Sequence, residues 1–153
     1  MKDENEKFYT ARGYEITADK DMLTPSMEDY IEMIYRLSQS SGYTRVNDLS
    51  EKLNVQPPSV TRMMKKLHEK SLLNYEKYGM IQLTEEGKRM GKFFLDRHNT
   101  LKEFFLLLGI EDQVQKEVEQ IEHHISWGSF LIINRFVNFL KNRPEIINEF
   151  KNI

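Results

Sequence analysis

The order of periodicities between residues 24 and 84 constrains this chain more than any other feature: three helical apolar stripes are followed by two short runs in which apolar and polar residues partly alternate. Thr24-Pro25-Ser26 offers an oxygen-bearing cap and a proline in the first turn. Met27, Ile31, Ile34 and Tyr35 then recur at helical spacing, and Gly42 is expected to end that helix. Val46, Leu49 and Leu53 mark a short second helix that stops at Asn54. Gln56-Pro57-Pro58-Ser59 opens a third, with Val60, Met63, Met64 and Leu67 facing inward. Leu72 to Glu76 and Met80 to Thr84 read as strands joined through Lys77-Tyr78-Gly79. Helix, tight turn, helix and then a hairpin is the plan of a winged helix-turn-helix, with the hairpin as its wing.

Downstream the pattern is helical throughout. Thr84-Glu85-Glu86-Gly87 caps a long fourth helix running to about Leu108, where Gly109 terminates it. Helices near 111–124, 127–141 and 144–151 complete the chain, separated by Trp127-Gly128 and Pro144. Residues 1–23 are polar, without sustained periodicity, and are expected to form a flexible or loosely docked extension. The fold class expected is mainly α: a winged helix-turn-helix domain with a small β-hairpin, followed by an all-helical domain.

A chain of 153 residues with 39% hydrophobic content can bury one ordinary core, or two small domains that share one. With no cysteine, disulfides and thiolate metal sites are excluded, so a metal would be held by oxygen and imidazole nitrogen. No stretch approaches the ~18 apolar residues of a membrane span, and MKDENEKFYT lacks the apolar core of a signal peptide. A soluble cytoplasmic protein with no membrane partner is expected. The net charge of -2 hides a division: residues 45–92 carry ten Lys/Arg against six Asp/Glu, whereas residues 1–44 carry five against nine. The middle of the chain can face phosphate.

A helix-turn-helix sets its second helix in the major groove, with the exposed side chains at its start near base edges. Those are Gln56, Ser59, Thr61, Arg62, Lys65 and Lys66. Gln, Thr and Arg can read bases, while Ser59 and the lysines hold phosphate. Lys77 and Tyr78 at the hairpin tip then meet the flanking backbone. The competing reading is that Lys65, Lys66 and Lys70 form a solvated helix face. The order of elements favours DNA.

Asp29 and Glu32 lie three apart on the first helix and project from the same side. Glu119, Glu122 and His123, at i, i+3 and i+4, line two carboxylates and an imidazole along one helix face, a plausible half-site for a divalent ion. His98, expected at the exposed middle of the fourth helix, is a further candidate. His124 points about 100° away and is assigned to packing or to an outer layer around the ligands, and His68 is expected to be exposed. Charged helix faces are common, so each pair alone also fits ordinary surface.

Taken together, Thr24-Pro25-Ser26-Met27-Glu28-Asp29-Tyr30-Ile31-Glu32, Ser59-Val60-Thr61, Tyr75-Glu76-Lys77-Tyr78, Arg97-His98 and Glu119-Gln120-Ile121-Glu122-His123-His124 resemble the manganese transport regulator branch of the diphtheria-toxin-repressor family, over residues 24 to about 140. The resemblance implies a winged-helix domain (24–91) joined to a helical metal-binding and dimerisation domain (92–153), with metal bound between them. It carries over Asp29, Glu32, His98, Glu119, Glu122 and His123 as ligands of a two-ion Mn²⁺ cluster in each subunit. A carboxylate at position 119 looks like the manganese branch, since the iron-responsive branch is expected to carry sulfur there. The resemblance further implies a homodimeric, metal-dependent repressor of manganese-uptake genes on palindromic double-stranded operators. Iron-responsive relatives often add a C-terminal barrel, for which a chain ending at Ile153 leaves no room.

Two other readings compete. A di-metal hydrolase would use the same carboxylates to activate water, but needs an acid or base beyond the ligands, and the sequence offers no candidate. A metal-independent winged-helix regulator would bind a small molecule or partner through its helical half. The expected protein is a regulator and not an enzyme.

Overall fold

The computed structural model describes residues 23–153, the Lys77 side chain excepted. The extension expected over residues 1–23 therefore lies, up to residue 22, outside the described residues. Helix α1, Pro25–Leu37, starts as its sequence dictates: Thr24 Oγ1 accepts a hydrogen bond from the Met27 N–H at 3.3 Å, and Pro25 occupies the first turn, where its missing N–H costs nothing. It ends at Leu37, before the expected Gly42. The Gly42 N–H closes a turn onto Ser38 O at 2.8 Å instead, with Gly42 at φ +78°. Helix α2, Val46–Leu53, stops at Asn54, which adopts the left-handed conformation that asparagine tolerates. Helix α3 runs Pro57–Glu69.

Strands β2, Leu73–Tyr75, and β3, Met80–Leu83, form the expected hairpin, with Leu73 opposite Leu83 and Tyr75 opposite Ile81. Its tip is a 3₁₀ turn over Lys77–Gly79 in which Tyr78, at φ 70°, is left-handed. A third strand, β1 (Thr44–Arg45), pairs with the other edge of β3, giving an antiparallel sheet of order β1-β3-β2. Two residues carry no alternation, so the sequence does not reveal β1.

Helix α4 spans Glu85–Leu107, capped by Thr84 Oγ1 accepting from the Gly87 N–H. Helix α5 is Val114–Ile121, a 3₁₀ turn covers Glu122–His124, and helices α6 (Trp127–Lys141) and α7 (Pro144–Lys151) follow, with Ser126 capping α6. Among the described residues no helix is long and apolar enough to cross a membrane.

One core cluster draws on α1, α2, α3, β2, β3 and the start of α4: Ile31, Ile34, Leu49, Val60, Met64, Leu67, Leu73 and Ile81 are all fully buried. Burial of each such side chain contributes about 1.5–3 kcal/mol. The contact that positions the site is α1 against α4. A Cβ on Gly91 would lie 2.6 Å from the Tyr35 Cβ, so only glycine lets the two helices approach this closely. That approach brings the acidic side of α1 beside the second half of α4.

Candidate metal centre and nucleic-acid interface

Three elements build the centre. Helix α1 supplies Glu28, Asp29 and Glu32, α4 supplies Arg97 and His98, and the end of α5 with its following turn supplies Glu119, Glu122 and His123. The single helix face expected for these last three is not what forms. Helix α5 ends at Ile121, and the 3₁₀ turn, closed by the Ile125 N–H on Glu122 O at 3.1 Å, swings Glu122 into the interior while Glu119 stays half-exposed. Tightening at a helix C-terminus is ordinary behaviour for carbonyls without partners.

The candidate ligand atoms fall into two groups that share one residue: Asp29, Glu122 and His123, and Glu32, His98 and Glu122, with the atoms of each group within 4.8 Å of one another. His98 Nδ1 lies 2.7 Å from Glu122 Oε2 and 3.8 Å from Glu119 Oε1. His123 Nε2 lies 3.1 Å from Asp29 Oδ1 and 4.0 Å from Glu122 Oε1. Five of the six expected residues therefore converge. Glu119 borders the second group, tied to it by Gln115, whose Nε2 donates to Glu119 Oε1 at 2.7 Å and sits 3.3 Å from His98 Nε2. His98 itself is only 2% exposed, contrary to the exposed position expected, because the α5 end covers that side of α4. His124 is exposed, where packing was expected, and His68 is exposed as expected.

Electrostatics follow from crowding. Burial raises the Glu32 carboxyl against the pull of Arg36, which donates to Glu32 Oε1. Glu119 is raised by burial and then by the neighbouring Glu122 charge. For His98, burial favours the neutral ring, but the Glu122 hydrogen bond and charge outweigh it and the pKa rises. His123 is pushed up to about 10 by its hydrogen bonds to Asp29 and then Glu28. Both rings are thus driven toward carrying positive charge among five carboxylates. The feature best suited to a cation is Glu122, 0% exposed, with Oε1 lacking a hydrogen-bond partner among the described residues. A buried carboxylate oxygen left unpaired is costly, and a divalent ion satisfies it. Oxygen and imidazole donors without sulfur suit Mn²⁺ and its neighbours, so the residues present fit such an ion.

Two participants escaped the sequence reading: Glu28 and Arg97. Arg97 Nη2 and His123 Nδ1 both donate to Glu28 Oε2. An acid in the first turn of a helix is commonplace. No local signal marks a partner 95 residues away.

The candidate reader surface lies at the other end of the molecule's logic. Val60, Met64 and Leu67 anchor α3 in the core, which leaves Gln56 at its N-cap and Arg62, Lys65 and Lys66 exposed, with Ser59 and Thr61 half-buried. Arg62 Nη2 donates to Ser59 Oγ at 3.2 Å. Tyr78 stands 94% exposed at the hairpin tip, and Lys77 opens that turn.

Comparison with known proteins decides the family. Residues 22–81 match the iron dependent repressor N-terminal DNA binding domain, and residues 84–151 match the iron dependent repressor metal binding and dimerisation domain. The chain belongs to the iron dependent repressor family. This bears out the family resemblance and the fold class expected. Within the family, the HTH-type transcriptional regulator MntR of Oceanobacillus iheyensis is 44% identical over 133 residues, covering 86% of this chain and 90% of that protein. The regulator of the same name from Listeria welshimeri is 45% identical over 131 residues, covering 85% and 92%. The solved structure of the manganese regulator SloR superposes with a TM-score of 0.66 at 28% identity, over 76% of this chain and 55% of that one. A manganese-dependent transcriptional repressor in complex with manganese gives 0.65 at 25% identity, over 74% and 53%. The chain spans about half the length of these solved structures. The two family domains meet where α4 begins.

Proposed function

We propose that this chain is a manganese-responsive, homodimeric DNA-binding repressor in which the carboxylate and histidine centre clips the reader to the helical half. The observation that carries the proposal is Glu122: fully buried, shared by two groups of candidate ligands, with one oxygen unpartnered among the described residues. Asp29, Glu32, His98, Glu119, Glu122 and His123 would hold Mn²⁺, and the sharing of Glu122 supports two ions per subunit. Bound Mn²⁺ supplies the positive charge that offsets repulsion among these carboxylates. Asp29 and Glu32 belong to α1 and so to the reader (24–91). Glu119, Glu122 and His123 belong to the helical half (92–153), and their mutual repulsion otherwise loosens α1 from the α5 end. Holding them together fixes the separation of two readers and lowers the entropic cost of engaging two half-sites.

Gln56, Thr61 and Arg62 would read base edges, and Ser59, Lys65, Lys66, Lys77 and Tyr78 would hold the backbone. The apolar outer face of α6 and α7, with Ile132, Phe136 and Phe150 about half exposed, suits a second copy. Its two-fold symmetry implies palindromic operators. The relatives' names support a transcriptional regulator and so not an enzyme; control of manganese-uptake genes in the cytoplasm completes the reading.

The test is duplex affinity, using DNA selected from a random pool in the presence of Mn²⁺. Affinity in excess chelator is expected to fall at least tenfold relative to excess Mn²⁺, about 1.4 kcal/mol of coupling. Equal affinity in the two conditions sinks the metal-dependent reading and leaves a metal-independent regulator.

A further inference from the structure

Glu28 and Arg97, neither of them in the proposed ligand set, form a chain of contacts that ends on the proposed ligand His123. Glu28, on α1, is nearly buried, and a single oxygen, Oε2, accepts from both Arg97 Nη2 and His123 Nδ1, the latter at 2.7 Å. Arg97, on α4, is 3% exposed. Its guanidinium sits 5.2 Å from the ring centroids of both Phe93 and Phe94, and its Nη1 donates to Ile125 O at 3.3 Å. One buried cation thus grips Glu28 of the reader and the backbone two residues beyond His123. An ionised carboxylate can only accept, so without metal the ring donates from Nδ1 to Glu28 and from Nε2 to Asp29. An ion taking the Asp29 side would displace the Nε2 proton and leave the Nδ1 proton donated to Glu28. Nε2 is the nitrogen on the ligand side, 3.1 Å from Asp29 Oδ1 and 4.0 Å from Glu122 Oε1, which has no hydrogen-bond partner among the described residues.

We infer that Glu28 and Arg97 are positioning residues for the centre: Glu28 fixes the tautomer and direction of His123 so that Nε2 is the ligating nitrogen, and Arg97 fixes Glu28 and the turn that carries His123. This rests on the proposed metal site. It adds that the site is held by a buried pair running from α1 through α4 to the α5 end, so the reader helix takes part through Glu28 as well as through its ligands. A carboxylate behind a metal-bound imidazole raises ring basicity and holds its orientation, and its loss typically weakens metal affinity 10–100-fold. A purely structural ion pair would hold the fold without acting on the metal.

The experiment uses the full chain and Mn²⁺, with binding followed by the electron paramagnetic resonance signal of the free ion. Glu28→Ala is expected to lower Mn²⁺ affinity at least tenfold. Glu28→Gln, whose amide oxygen can still accept from Nδ1, should recover most of that loss at an unchanged melting temperature of the metal-free protein. Asp29→Ala serves as the control for the site itself. Loss with Asp29→Ala but not with Glu28→Ala overturns this inference alone, while no loss with either overturns the metal site beneath it. Because Glu28→Ala strips the partner from buried Arg97 and can unfold the chain, a second measurement needs no variant. In the Zn²⁺-loaded wild type, long-range ¹⁵N correlation should show His123 with its proton on Nδ1 and metal on Nε2. The reverse tautomer overturns the inference.

Discussion

The two halves of this molecule bury their apolar residues differently. The core cluster draws all its buried members from residues 30–94, closing the reader on itself. The helical half buries Leu101, Val118, Phe130, Val137 and Leu140, but leaves Trp127, Leu131, Ile132, Phe136, Phe139, Ile146 and Phe150 exposed. In the reader, among the described residues, Tyr78 is the one large apolar side chain left out, and it is at the wing tip. Monomeric proteins rarely expose so continuous an apolar face. A domain that meets a polar polymer can complete its own core. One that assembles with itself keeps part of its core for the partner, and between the two lie the carboxylates proposed to hold an ion.

The largest expected effects test that contrast directly. Leu67→Ala empties a fully buried position of the reader and should cost about 2–5 kcal/mol of folding stability, with self-association unchanged. Phe136→Ala, on the outer face of α6, should leave the chain folded and weaken the dimer. Denaturant unfolding at several protein concentrations, together with sedimentation equilibrium, separates the two. If Phe136→Ala destabilised the fold as much as Leu67→Ala while association stayed intact, the α6 face would be core of some other kind and the contrast would fail.

Legibility in the sequence divides along the same line. Reader elements announce themselves locally: Thr24 and Thr84 cap the helices they were expected to cap, Asn54 ends α2, and Val60, Met64 and Leu67 are the buried stripe of α3. Each is decided within a few residues, by periodicity or by a hydrogen bond to a nearby N–H. The site is decided by contacts between distant segments. His98 reads as exposed on α4 alone and becomes buried only when the α5 end folds over it, and Glu28 gains meaning from Arg97 and His123, 69 and 95 residues away. The segments that bring the candidate ligands together were named through the resemblance. The break at Ile121, which turns Glu122 inward, was not, because nothing in Gln120-Ile121-Glu122 disfavours helix.

A smaller effect concerns the junction between the halves. Glu119 is half-exposed and borders the second group of candidate ligands without joining it, so replacing it should cost little stability. If it contributes an oxygen ligand, Glu119→Cys exchanges hard oxygen for soft sulfur, and the response should shift toward Fe²⁺ or Co²⁺ relative to Mn²⁺ by about tenfold. Anaerobic titrations of DNA binding with each metal, for wild type and variant, read the ranking. An unchanged ranking makes Glu119 a solvated residue of α5.

The smallest expected effect belongs to the reader's outer face alone. Lys65 is exposed on α3, one turn beyond Arg62 and on the side away from Val60, Met64 and Leu67. Truncating it removes charge and leaves the core untouched, so folding should change by no more than about 0.5 kcal/mol. If Lys65 meets a phosphate, its loss releases one fewer counterion on binding, and the slope of log affinity against log salt should become shallower by about 0.9, equally for every DNA sequence. Arg62→Ala should act differently, relaxing preference at particular base pairs, because a guanidinium near the start of the helix can engage a base edge in bidentate fashion. Neither change should alter Mn²⁺ affinity or dimerisation, since both residues lie outside the centre and outside the α6 face. Binding of a panel of single-base-pair variants at several salt concentrations resolves the two roles. A sequence-dependent loss for Lys65→Ala, or a uniform loss for Arg62→Ala, would mean that α3 lies in the groove in a different rotation from the one its buried stripe implies.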